Sequence, residues 1–227
     1  MKKVNKRLRE AVKAVDREKA LSLADAVVKV EQFPKVKFDE TVELHLALNL
    51  DLKANDQAVV RGTVVLPNGL GKDVKVAVVC KGELEQKAKE AGAEFVGAQD
   101  LIDKIAGGFM DFDVLVAAPD MMRDLSKLGK ILGPKGLMPT PKAGTVAADV
   151  AKAVRELKAG KVEFKSDKQA GIHIGIGKRS FSKEKLVENA QHLLDAVNHA
   201  KPNSVKGAFY KSAFISTTMG PGVRIVV

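Results

Sequence analysis

Four histidines, His45, His173, His192 and His199, and one cysteine, Cys80, are the side chains of this 227-residue sequence best suited to acid–base, nucleophilic or metal chemistry. Their spacing favours none of it. His45 and His173 fall in segments that read as strands. His192 and His199 lie about two turns apart on one helix, with no His-Glu-x-x-His pattern and no evident third ligand, so structural or surface roles fit all four better. Cys80 ends the apolar run 76–80 and reads as a core residue; alone it makes neither an intramolecular disulfide nor a Cys-rich zinc site. No serine sits in a Gly-x-Ser-x-Gly elbow. Gly71-Lys72, Gly129-Lys130, Gly160-Lys161 and Gly177-Lys178 all lack the earlier glycine that a phosphate-cradling loop requires. The turn Lys81-Gly82-Glu83-Leu84-Glu85 has no spaced glycines and puts two carboxylates where a pyrophosphate would sit. The expectation is a non-enzyme with no metal and no cofactor.

A second kind of chemistry, recognition, has better candidates. Lys37-Phe38-Asp39-Glu40-Thr41-Val42-Glu43 leads into one alternating segment, and Ser212 through Thr217-Thr218-Met219-Gly220-Pro221-Gly222 ends another. Short hydroxyl donors, a thioether and glycines let a backbone approach ribose and base edges, while Phe38 can pack on a sugar or base. Glu43 repels phosphate, yet it can accept hydrogen bonds from guanine edges or a 2′-hydroxyl. Taken alone, 217–222 also reads as a plain strand-ending turn. Gly133-Pro134-Lys135-Gly136 formally matches a nucleotide-clamping GxxG loop, but Pro139 and Pro141 prevent a helix starting directly after it; a structured turn at a domain edge is the alternative.

Charge points the same way. The net charge is +10, divided as +3 over residues 1–66, +1 over 67–159 and +6 over 160–227. Basic ends around a nearly neutral middle suit a polyanionic partner, although surface lysines can also serve solubility alone. Nine Phe, one Tyr and no Trp provide poorly for stacking a long single strand, so folded RNA suits the composition better. DNA as the main target and a small-molecule enzyme built on the middle segment are the competing readings.

The elements that must position these residues change style along the chain. Residues 5–16 and a segment capped by Ser22 with Asp25 read as helices. Residues 41–49 alternate, with Val42, Leu44, Leu46 and Leu48 on one face, as do 59–66; both predict strands. From 75 to 157 short apolar strands alternate with helices at 83–91, 101–106, 121–128 and 149–157, the pattern of a parallel sheet covered on both faces. Strands at 162–165, 172–176, 208–217 and 223–227, with a helix over 182–200, close the chain. The expected architecture is α/β and α+β in two domains: residues 1–66 plus 160–227 form a discontinuous split β-α-β (ferredoxin-like) RNA-binding domain. Residues 67–159 form an inserted Rossmann-like three-layer α/β domain, with a hinge at the two crossings. No apolar run approaches the length of a membrane span, and the basic N-terminus leads into an amphipathic helix, so the expected compartment is the cytoplasm.

Several blocks together resemble the large-subunit ribosomal protein L-one family in its bacterial form. They are 131–139 with Lys142-Ala143-Gly144-Thr145-Val146, residues 38–43, Arg61-Gly62-Thr63 with Pro67-Asn68-Gly69-Leu70-Gly71, and Thr217-Thr218-Met219-Gly220-Pro221, in the family's order over essentially the whole chain. The resemblance implies a mobile stalk protein of the large (50S) ribosomal subunit beside the tRNA exit site. It would bind 23S rRNA, assist release of deacylated E-site tRNA, repress translation of its own operon mRNA, and be a monomer when free. Carried over, it implies RNA-binding roles for Lys37, Phe38, Glu43, Ser212, Thr217, Thr218, Met219 and Gly220, with Lys168 a further candidate.

Overall fold

A computed structural model describes residues 6–16, 19–50, 59–202, 205 and 207–227. Its elements run in chain order α1 (Lys6–Lys13), α2 (Leu23–Glu31), β1 (Thr41–Leu48), β2 (Arg61–Val65), β3 (Val76–Val79), α3 (Glu83–Glu90), β4 (Phe95–Gly97) and α4 (Gln99–Ala106). There follow β5 (Val114–Ala117), α5 (Met122–Leu125), α6 (Gly129–Leu132), α7 (Val150–Lys158), β6 (Lys161–Lys165), β7 (Gly171–Lys178), α8 (Lys183–His199), β8 (Tyr210–Thr217) and β9 (Val223–Ile225). The fold is mixed α/β. It divides into two compact units, one made of Met1–Gly71 with Glu163–Val227 and the other of Lys72–Val162.

In the first unit β7, β1, β8 and β9 form a four-stranded sheet in that order, antiparallel throughout. The period-two pattern of β1 decides which face is covered. Val42, Leu44, Leu46 and Leu48 are each about 1% exposed or less, while the intervening residues stay half-exposed. Burying each leucine contributes about 1.5–3 kcal/mol, enough to fix the register, because a one-residue slip would turn all four outward. Helices α2 and α8 pack on this covered side. Ser22 caps α2 by accepting the Asp25 N–H, and Leu186, Ala190, Leu193 and Val197 form the buried stripe of α8. The other side of the sheet carries the half-exposed residues.

Asn189, on the same stripe, is the polar exception. Its amide donates to the carbonyls of Gly69 and Ile176 at 3.0 and 2.7 Å and accepts the Asn68 N–H at 3.1 Å, stitching the 67–71 turn to α8 and β7. Strands β2 and β6 pair separately, and Gly62 is required there because a Cβ would come within 2.6 Å of the Phe164 ring.

The second unit holds a three-stranded parallel sheet ordered β4-β3-β5. Central β3 is buried at all four positions, which is why its sequence is continuously apolar rather than alternating. The single helix expected over 121–128 is broken: a 3-10 turn at Pro119–Met121 precedes α5, and a second at Ser126–Leu128 separates it from α6. The Ser126 hydroxyl donates to the Arg123 carbonyl at 2.7 Å, a local bond that competes with helix continuation. The Gly133–Gly136 stretch ends α6. Gly133 N–H donates to the Gly129 carbonyl at 2.9 Å, Leu137 N–H to the Leu132 carbonyl at 3.0 Å, and Gly136 takes φ +70°. That is a helix-terminating turn.

Candidate nucleic-acid interface

Because β1 and β8 are antiparallel neighbours, the start of one lies beside the end of the other, with Val42 opposite Thr217. Two segments separated by about 180 residues in sequence thus share one end of the sheet. Thr218 N–H donates to the Thr41 carbonyl and Thr41 N–H to the Thr218 Oγ1, both at 3.0 Å.

Beneath this junction is a buried ion pair. Glu40, 1% exposed, accepts Arg179 Nη1 on Oε2 at 2.6 Å and the Met219 N–H on Oε1 at 3.1 Å. Arg179 also donates to the carbonyls of Glu31, at 2.9 Å, and Phe33. One guanidinium therefore ties the end of α2 to the 33–40 loop, and its carboxylate partner ties that loop to the 217–220 turn. Asp39 holds the loop from the other side by accepting the Ser180 N–H and hydroxyl at 3.2 and 2.7 Å. With the backbone so fixed, Phe38 and Met219 stand 54% and 50% exposed. A cavity of about 570 Å³ opens beside Phe38, lined also by Lys35, Asp39 and Arg179.

Of the nine residues singled out in the sequence, the fold gathers seven at this end: Lys37, Phe38, Glu43, Thr217, Thr218, Met219 and Gly220. Ser212 and Lys168 lie at the opposite end. Ser212 is opposite Ala47, near the end of β1, and Lys168 is in the turn entering β7, where Asp167 Oδ1 accepts the Gln169 and Gly171 N–H groups. Six residue steps along β1 make the separation about 20 Å. Thr217 is placed differently from its neighbours. Its side chain is 3% exposed and turned inward, and its hydroxyl has no hydrogen-bond partner among the described residues. Gly220 is needed for space, since a Cβ there would collide with that hydroxyl and crowd the Phe33 ring.

Sequence reasoning missed Glu40 and Arg179 as the parts that hold the site, and it missed the row crossing the open face between its two ends. His173 on β7, His45 on β1, Phe214 on β8 and Arg224 on β9 are successive register partners. The two imidazoles meet Nδ1 to Nδ1 at 2.9 Å, and His45 Nε2 lies 2.8 Å from the Ser216 hydroxyl. Burial lowers the His45 pKa, aided by His173 and opposed by Glu43. Alternation in β1 does put His45 on the face opposite the leucines, but no local signal joins it to a residue 128 positions away.

Elsewhere, burial pushes the Cys80 thiol up to about 11, leaving it protonated and inert near neutrality. Among the described residues no group of three or more His, Cys, Asp or Glu could hold a metal ion, and no helix is long and apolar enough to cross a membrane.

Comparison with known proteins gives a consistent result. The model of the family described as "Ribosomal protein L1p/L10e family" matches residues 29–221. The chain is 52% identical over 225 residues to the large ribosomal subunit protein uL1 of Protochlamydia amoebophila, covering 99% of this chain and 95% of that one. It is 51% identical to the proteins of the same name from Solidesulfovibrio magneticus and Thermosipho melanesiensis, covering 99% of this chain and 95% and 97% of theirs.

Proposed function

The chain belongs to the ribosomal protein L1p/L10e family, and we propose that it is a non-catalytic structural constituent of the large ribosomal subunit that binds 23S rRNA through the first unit. The observation that carries this reading is the junction at Glu40, whose bonds to Arg179 and to the Met219 N–H hold the 33–40 loop and the 217–220 turn at one end of the sheet with Phe38 and Met219 exposed. Phe38 supplies a stacking face and Met219 a polarizable apolar contact. Glu43 and Thr218 offer an acceptor and a hydroxyl for base edges or a 2′-hydroxyl, and Lys37 and Lys168 meet phosphates. Ser212 extends the contact to the far end of the open face. Thr217 and Gly220 act through the turn they build, closed by the Gly220 N–H to the Thr217 carbonyl at 3.0 Å.

The finer role is our reading, supported by family membership and the two-unit chain. The first unit, a split β-α-β layer, anchors the protein in the cytoplasmic ribosome. The second, Rossmann-like in its parallel sheet, is carried as part of a mobile stalk at the exit site and assists departure of deacylated tRNA. The same RNA surface, offered an mRNA that copies the rRNA site, represses the protein's own operon. The free protein is a monomer. Equilibrium binding to a stalk fragment of 23S rRNA and to an unrelated duplex, measured across a salt series, tests the core of this. Selective binding at every salt supports it, and equal affinity for both at every salt refutes specific recognition.

A further inference from the structure

The row His173–His45–Phe214–Arg224 crosses the open face between Glu43 and Ser212, so an RNA laid along that face from one to the other passes over it. Its chemistry is set by the 2.9 Å contact between the two Nδ1 atoms, which needs one hydrogen between them. With both rings neutral the contact is satisfied: one Nδ1–H donates, the other Nδ1 accepts, and His45 Nε2 exchanges a bond with the Ser216 hydroxyl at 2.8 Å. One added proton also fits. His173 then donates from Nδ1 to His45, and its Nε2–H turns toward Asp167 Oδ2 at 3.9 Å or out toward solvent. A second proton does not fit, because two N–H groups would face each other. The pair is a one-proton acceptor whose steps belong to both rings together.

Among the described residues three charged groups face it. Glu43 Oε2 lies 3.7 Å from His45 Nε2 on β1, Asp167 approaches from the turn before β7, and Arg224 stands beyond Phe214 on β9. From β8 the pair meets Ser216 and Phe214, neither charged. His173 is the more open ring, its side chain 58% exposed against 27% for His45. In the free protein burial and the neighbouring ring both oppose a charge on His45. A phosphate backbone laid across the row reverses that balance, since an imidazolium gains a charge-assisted bond to phosphate and a neutral ring does not.

Resting on the assignment of this face to RNA, we propose that RNA binding is coupled to uptake of a proton by the His45–His173 pair, so that affinity strengthens as pH falls through the imidazole range. The sign follows from linkage. Bound RNA raises the pKa of the pair, so the added affinity is fully present below the free pair's pKa and is lost as pH rises through the bound pair's pKa. The limiting slope is about tenfold in affinity per pH unit, the signature of one proton.

Calorimetric titration of the full chain with the stalk rRNA fragment, in buffers of different ionisation enthalpy between pH 6 and 8, reads the proton directly. The expected result is uptake of about half a proton near neutrality, with affinity about tenfold tighter at pH 6 than at pH 8. His173→Gln, an exposed change, removes most of the uptake and flattens the profile, as does His45→Gln. His192→Gln and His199→Gln, on α8, leave both unchanged. Tight, pH-independent binding by the wild type overturns the inference alone, as does uptake that survives in both His173→Gln and His45→Gln. Failure to bind the rRNA at any pH overturns the functional reading and this inference with it.

Discussion

At the scale of single residues, the proposed interface separates groups placed to meet RNA from groups that hold them in place. Thr217 is the sharpest case. Its buried hydroxyl, without a partner among the described residues, costs stability, so Thr217→Val should leave RNA affinity within about twofold and hold or raise stability by about 1 kcal/mol. A loss of affinity near tenfold, with unchanged stability, would instead make the hydroxyl an RNA ligand. Glu40 is the converse. Glu40→Gln leaves the Arg179 guanidinium buried beside a neutral amide, and breaking such a pair costs about 3–5 kcal/mol, to be read by denaturant unfolding. An unchanged midpoint would show that the pair does not hold the loop. Phe38, Glu43 and Met219 could be named as candidates from the sequence because their types are unusual beside glycines and hydroxyls. Glu40 was not, because what defines it is a partner 139 positions away.

At the scale of elements, strands whose two faces differ announced themselves and irregular ones did not. The alternation of β1 and the unbroken apolar run of β3 each name a face and an environment, so both were readable. The segment after β5 was not, because its breaks depend on hydroxyl bonds such as Ser126 to Arg123 that periodicity does not register. Asn189 belongs to the same class, since on the apolar stripe of α8 it looks like an interruption and acts as a clamp. Replacing it with leucine strands the Asn68 N–H and the carbonyls of Gly69 and Ile176. Asn189→Leu should therefore destabilise by about 3 kcal/mol or more despite the gain in apolar surface, measured by chemical denaturation. A neutral effect would mean that water replaces the amide without cost.

At the scale of the whole molecule, charge is spread unevenly over the two units, and the proposed selectivity is a separate matter. The first unit carries 23 Lys+Arg against 15 Asp+Glu and the second 15 against 13, so the excess is +8 and +2. Lys37→Gln and Lys168→Gln should each lower the slope of log affinity against log salt by about 1, while Lys130→Gln and Lys142→Gln in the second unit leave it unchanged. Equal effects from both units would place the rRNA on both. Attraction of this kind does not distinguish one RNA from another; that is assigned to the uncharged pair held by Glu40. The most direct test is the ratio of affinities for the stalk rRNA fragment and an unrelated duplex, compared among wild type, Phe38→Ala and Met219→Asp at one physiological salt. The ratio should collapse by about tenfold or more in each variant, with duplex affinity nearly constant for Phe38→Ala and all three proteins equally stable. Variants that keep the wild-type ratio would contradict the assignment of selectivity to this patch.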